Sequence, residues 1–300
     1  MIIEKLISNL PVLSFHGNKE ELIKDVLSLD DDINSNNVLS WCNDKNWTKL
    51  KDKTFGTFII SPFTFENLKK DNFFSNINLI IVENPRQYFA KFLAIYANEH
   101  TVFEIATSAV IDSSVQMDKS KVSIGHNVVI EKKVTLGEGV IIGHNTVVKN
   151  NTFIGNHSKI GSNCTIGGVG FGYEKDENGN YQIMPHVGNV HIGDYVEIGN
   201  NVCIDRAVLG STKLENNVKV DNLVHIAHGV KIGKNSLIIA NAMIAGSTVI
   251  GKDVWVAPSA SIMQKKIIGD YATIGMGSVV IKDVEARSIV AGVPAKKLSK

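Results

Sequence analysis

The chain has 300 residues, 44% hydrophobic and 20% charged, with a formal net charge of +1. So even a balance gives no electrostatic reason to expect nucleic acid or an acidic membrane as the main partner. No apolar run reaches the roughly 18 residues of a membrane helix, and Cys42, Cys164 and Cys203 show neither CxxC spacing nor a disulfide framework.

The length predicts two domains. The first twenty residues lack a basic head followed by an apolar run and a cleavage site, so no secretory signal is expected, and a reducing cytoplasm fits best. Residues 1–103 read as a small α/β domain. Apolar runs at Pro11–Phe15, Phe55–Ile60 and Leu79–Val82 predict strands, and Lys19–Ser28, Phe65–Asp71 and Pro85–Ala97 carry helical patterning. Asn84 before Pro85 is a good helix start, because Asn caps free amides and Pro suits the first turn. Trp41 and Trp47 either pack into the core or grip a planar ring between them; their spacing leaves both open.

From Ile105 the pattern changes to a period of six. Ile124, Ile130, Leu136, Ile142, Val148, Ile154, Ile160 and Ile166 keep step, Ile192, Ile198 and Ile204 resume it, and an unbroken run follows from Leu214 to Val280. A period of six suits neither an amphipathic helix nor an alternating strand. It suits a chain that turns a corner after each short strand, as in a parallel β-helix with three hexapeptides per coil. Glycine after the inward aliphatic is expected to supply tight or left-handed corner geometry. Residues 167–189 carry charges and turn formers that would not fit an interior column, so they are predicted to loop out. The pattern also slips by four residues across Ala207–Thr212. The domains predicted are therefore 1–103, a β-helix over 104–283 with an expelled loop at 167–189, and a tail over 284–300.

Residues eighteen apart should stack, which puts Gly210 below His228 and Gly246 above it. A histidine between two glycines has open backbone beside it. It supplies a base near neutral pH, and an adjacent amide supplies a donor for an oxyanion, the needs of acyl transfer. Asp221 is the candidate to orient the imidazole. The plain alternative is a solvated surface histidine. His126 and His144 stack in the same way with no acid nearby, and two imidazoles alone fall short of a metal shell, so no metal is expected.

From about Asn36 onward the chain resembles the UDP-3-O-acylglucosamine N-acyltransferase (LpxD) family. The resemblance is carried by Trp41 and Trp47, VENPRQYFAKFLAIY, GFGY at Gly170–Tyr173, VEIGNNVCIDR at Val196–Arg206 and DNLVHIAH at Asp221–His228. It implies a left-handed β-helix homotrimer with an N-terminal nucleotide-binding domain and sites in grooves between subunits. His228 becomes the general base, Asp221 its partner and the Gly246 amide the oxyanion donor. Trp41 and Trp47 take the places of the aromatics that hold uracil; Asp44, Phe171, Tyr173 and His186 join them as candidate nucleotide-sugar contacts.

The chain departs from the family pattern at Val169, where an acid is usual, at Lys265, where a histidine is usual, and at Gly229, where an asparagine is usual. It also ends soon after SIVAGVPAKKLSK, like hexapeptide acetyltransferases that use coenzyme A, with Lys265, Lys296 and Lys297 as candidate donor contacts. The function expected from these departures is transfer of a short acyl group such as acetyl from acyl-CoA to a UDP- or dTDP-linked amino sugar for surface polysaccharide. The alternative is the lipid A reaction itself with a 3-hydroxyacyl carrier protein, and the last option is a non-catalytic scaffold.

Overall fold

The computed structural model describes residues 1–71, 76–98 and 103–298, in two compact units, Met1–Thr101 and Val102–Lys300. The first unit holds helix α1 (Ile3–Asn9), strands β1 (Ser14–His16), β2 (Asp25–Val26), β3 (Val38–Trp41) and β4 (Thr57–Ile60), helix α2 (Pro62–Lys70), strand β5 (Asn78–Ile81) and helix α3 (Pro85–Asn98). The sheet runs β1-β5-β4-β3-β2, parallel except for β1. Its alternating side chains feed two cores: Val38, Phe58, Ile60 and Leu79 on one face, and Leu39, Ile59 and Ile80 on the other. The Asn84 side chain accepts from the Gln87 amide at 3.0 Å, a cap at the start of α3.

Lys19–Ser28 is not the helix its pattern predicts. Leu22 bridges Ile2, the Ile3 amide donates to Glu21 O, and Asp25–Val26 pair with β3. Pairing with distant strands outweighs the local helical spacing, and α1 and β3 complete what the pattern omitted.

The second unit is a triangular coil of short parallel strands stacked in three sheets. Pairings such as Ile141↔Lys159 and His225↔Met243 lie eighteen residues apart, and the inward aliphatics from Ile124 to Val280 form one continuous core. The glycines after them do a different job from the one expected. A Cβ on Gly125, Gly137, Gly143, Gly155, Gly161, Gly233 or Gly251 would lie 2.5–2.9 Å from backbone of the next coil, so these positions are small because coils touch there. Asparagine is the commonest left-handed corner residue, as at Asn127, Asn145, Asn217 and Asn235, with φ of 56° to 61°, a conformation asparagine tolerates. Their side chains also bond up the column, Asn217 Nδ2 to Asn235 Oδ1 at 3.0 Å and Asn235 Nδ2 to Asp253 Oδ1 at 3.1 Å. Gly161→Ala, whose Cβ would meet the Gly199 carbonyl at 2.5 Å, is expected to destabilise the coil by about 1–3 kcal/mol. A thermal melt at the wild-type midpoint would contradict this contact.

Two irregularities shape one side of the coil. After strand Thr165–Val169 the chain leaves in a hairpin, Tyr173–Lys175 against Tyr181–Ile183, and returns at Asn189–Ile192. The buried Arg206 holds the exit point: Nε donates to Gly167 O at 2.8 Å and Nη2 to Asn150 Oδ1 at 2.9 Å. The second irregularity is the slip across Ala207–Thr212, which makes the Cys203↔His225 and Ile204↔Ile226 pairings twenty-two residues apart.

Candidate functional site

His228 follows strand His225–Ile226 at a corner of the coil. Above it the register is regular, and Gly246 lies against the ring: a Cβ there would be 2.7 Å from His228 Nε2 and 2.8 Å from Cε1. The Gly246 amide has no hydrogen-bond acceptor among the described residues, so it is free to donate outward. Below His228 the slip defeats the eighteen-residue rule. A Cβ on Gly210 would meet nothing within 4 Å, whereas one on Gly170, from the expelled loop, would lie 3.0 Å from His228 Cβ and 3.1 Å from Cδ2. The glycine packed against the imidazole on this side is therefore Gly170, and a side chain on Gly210 would not touch it.

Asp221 also departs from expectation. It follows strand Lys219–Val220, one corner before His228, and its carboxylate accepts from Asn222 N (2.7 Å), Asn222 Nδ2 (2.9 Å) and Ala240 N (3.2 Å). Within the chain it caps the coil and does not orient His228. It lines an open groove of about 460 Å³ with Lys159, Glu197 and Lys219. That groove holds no histidine, so its size does not make it the chemical centre.

The carboxylate of this corner is Asp205, on strand Cys203–Arg206, with its side chain 14% exposed and Oδ2 3.7 Å from His225 Nε2. Burial pushes the Asp205 carboxyl up, against the pull of His225, His228 and His186. Counting twenty-two instead of eighteen across the slip puts Asp205 under Ala227, the residue before His228. Burial, and next the neighbouring His186, hold the His228 imidazole below the ordinary value of 6.5, opposed by Asp205. A ring with a lowered pKa is neutral at pH 7 and has its lone pair free to accept a proton. His186 itself is buried, its Nδ1 2.8 Å from Met184 O, and its ring meets His228 edge-on at 5.2 Å and 82°.

The remaining candidates are dispersed. Phe171 and Tyr173 pack on each other, centroids 5.0 Å apart, on the outside of the loop. The Lys265 amide donates to Gly246 O at 2.9 Å, so this residue stacks over Gly246. Lys296 and Lys297 pair with strand Ile289–Ala291, coils above His228, and Lys297 Nζ is bound to Glu285 at 2.6 Å. The tail lysines are thus not part of the His228 corner.

In the first unit, Trp41 lines a cavity of about 460 Å³ with Asp30, Asn43, Asn46, Phe89 and Leu93. Trp47 does not. It starts the 3₁₀ turn Trp47–Asp52, packs on the opposite core and lies under Lys51 Nζ at 4.7 Å. The two tryptophans belong to different faces of the sheet and form no clamp within the chain. Asp44 is occupied as well, accepting from Ser61 and from Thr64 Oγ1 at 3.1 Å. Asn43 and Asn46 are the polar groups beside Trp41 that the sequence did not single out. Among the described residues no cluster of three or more His, Cys, Asp or Glu is placed to hold a metal ion, and no helix is long and apolar enough to cross a membrane.

The model "Bacterial transferase hexapeptide (six repeats)" matches residues 211–246, and "Hexapeptide repeat of succinyl-transferase" matches residues 121–156. The solved LpxA of Acinetobacter baumannii superposes with a TM-score of 0.59 at 27% identity, covering 65% of this chain and 73% of that one. The UDP-N-acetylglucosamine O-acyltransferase (LpxA) of Moraxella catarrhalis superposes with a TM-score of 0.60 at 27% identity, covering 65% and 74%. The coil is the left-handed β-helix of these enzymes, and the chain is a hexapeptide-repeat acyltransferase. The UDP-3-O-acylglucosamine N-acyltransferase of Campylobacter lari is 42% identical over 268 residues, 85% of this chain and 82% of that protein. That of Wolinella succinogenes is 40% identical over 130 residues, 43% of this chain and 41% of its own length. The chain belongs to the UDP-3-O-acylglucosamine N-acyltransferase family.

This membership overturns the expectation of a short-chain acyl-CoA enzyme of surface polysaccharide synthesis. That expectation leaned on the tail and Lys265, and the tail lysines lie away from His228, one of them neutralised by Glu285.

Proposed function

We propose that this chain transfers a 3-hydroxyacyl group from the thioester of an acyl carrier protein to the amine of a UDP-linked 3-O-acylglucosamine, the N-acylation of lipid A assembly, as a homotrimer. The observation that carries it is a half-buried, neutral-leaning His228 whose Nε2 faces Gly246 with its unpaired amide. The names of the relatives supply the sugar. The α/β unit is assigned the nucleotide, with Trp41, Asn43 and Asn46 at the cavity, and the coil is assigned the chemistry.

In the proposed step the amine lone pair attacks the thioester carbonyl as His228 takes an amine proton. The oxyanion of the tetrahedral intermediate accepts from the Gly246 amide. Collapse breaks the C–S bond, and the departing thiolate receives the proton from His228, leaving an amide and a free carrier thiol. No covalent enzyme intermediate is required. The homotrimer is taken from the family to which the chain belongs.

The test offers the purified enzyme UDP-3-O-acylglucosamine with 3-hydroxyacyl carrier protein, and separately with acetyl-CoA, and weighs the products. Amide formation from the carrier protein is the expected outcome; its absence would end this assignment. Because His228 is held below 6.5, kcat/KM should be level near pH 7 and fall as acid protonates the base, along a limb centred below 6.5.

A further inference from the structure

The expelled hairpin and the four-residue slip are tied to each other. On the return side the Val187 amide donates to Val208 O at 3.0 Å, the Gly188 amide to Ala207 O at 3.1 Å and the Asn189 amide to Gly210 O at 2.9 Å. A Cβ on Gly188 would lie 2.5 Å from Gly210 O and 2.6 Å from Ala207 O, so the two segments meet backbone to backbone. The extra residues of the slip thus clasp the returning chain. On the exit side the tie is Arg206, the residue just before the slip. Its side chain is buried and donates from Nε to Gly167 O at 2.8 Å, and from Nη2 to Asn150 Oδ1 at 2.9 Å and Asn150 O at 3.2 Å. A buried guanidinium is tolerated only where its donors and its charge are met. Glu131 supplies opposite charge nearby and accepts from the Asn150 amide at 3.0 Å.

These ties hold one wall of the His228 corner. Gly170 comes three residues after Gly167, and a Cβ on it would lie 3.0 Å from His228 Cβ and 2.9 Å from His186 Nε2. His186 comes just before the clasped Val187, and its ring meets that of His228 edge-on at 5.2 Å. We propose that Arg206 is a positioning residue of the base, pinning the root of the expelled segment so that Gly170 and His186 stay seated against the His228 ring. The inference rests on the base role proposed for His228. Burial first, and His186 next, hold the His228 imidazole below 6.5, and Asp205 opposes them. Gly170 and His186 belong to the expelled segment, whereas Asp205 sits on the coil. Of the other titratable groups at this corner, His225 is directed at Asp205 and Lys265 stacks over Gly246. A loosened segment therefore uncovers the ring while Asp205 stays, and His228 titrates higher.

Arg206→Met removes every donor, and Arg206→Lys keeps the charge near Glu131 without the planar fork. In the Met variant kcat/KM is expected to fall about ten-fold at neutral pH. The deficit should widen as the solution is acidified, because a ring that titrates higher gives up its lone pair sooner. NMR titration of the His228 ring, which needs no turnover, is expected to move up toward 6.5, with the Lys variant between Met and wild type. Lost activity with an unmoved His228 titration overturns the inference, since Arg206 would then support the fold alone. A wild-type titration in the Lys variant overturns it equally if the Met variant does not fold. His228→Ala is assayed alongside: full turnover there would sink the base role and this inference with it. An inactive His228→Ala beside an unmoved titration in the Arg206 variants sinks the inference only.

Discussion

His228→Ala is expected to lower kcat/KM by about 10² to 10⁴, the usual contribution of a positioned general base, without changing the thermal melt. The imidazole projects from a corner whose inward neighbour, Ile226, stays buried, so the core loses nothing. Among the described residues no other imidazole lies against the Gly246 notch: His186 Nε2 is buried beneath Gly170 and His225 is directed at Asp205. Steady-state kinetics with the carrier-protein donor measure the loss. Retention of turnover within about five-fold of wild type would remove His228 from the chemistry.

Gly246→Ala should be nearly as damaging to rate and far milder to the fold. Gly246 is not among the positive-φ positions, so alanine meets no backbone strain. Its methyl group would instead fall 2.7 Å from His228 Nε2, and the ring has to swing away. A misplacement of about 1 Å at a reacting group is worth about 10²-fold in rate. The expected signature is a fall in kcat of that order, with an unchanged melt and intact nucleotide binding. An alanine variant at wild-type kcat would show that the ring does not work from this position.

The coil was legible because its code is local: each inward aliphatic, from Ile124 to Val280, repeats after six residues whatever happens elsewhere. His228 and Gly246 were found together because the register between them is unbroken. Asp205 was missed, and His186 was named as a nucleotide-sugar contact but not as a neighbour of His228, for the opposite reason. The first lies across the four-residue slip, where counting by eighteen leads to Gly210, and the second sits on the aperiodic return of the expelled loop. In the α/β unit, the cap at Asn84 could be read from two adjacent residues. The strand Asp25–Val26 could not, since its pairing with Val38–Leu39 depends on residues outside any helical window. The spacing of Trp41 and Trp47 likewise says nothing about which side of the sheet each occupies.

The slip across Ala207–Thr212 has a wider consequence. A solenoid of perfect translational symmetry would offer the same outline at every storey, and a ligand would find many equal berths. The twenty-two-residue interval under His225 and the hairpin expelled just before it break that symmetry, and the proposed reactive corner sits at this dislocation. Adding or removing a whole coil well above or below that level should lengthen or shorten the solenoid while leaving the proposed site intact.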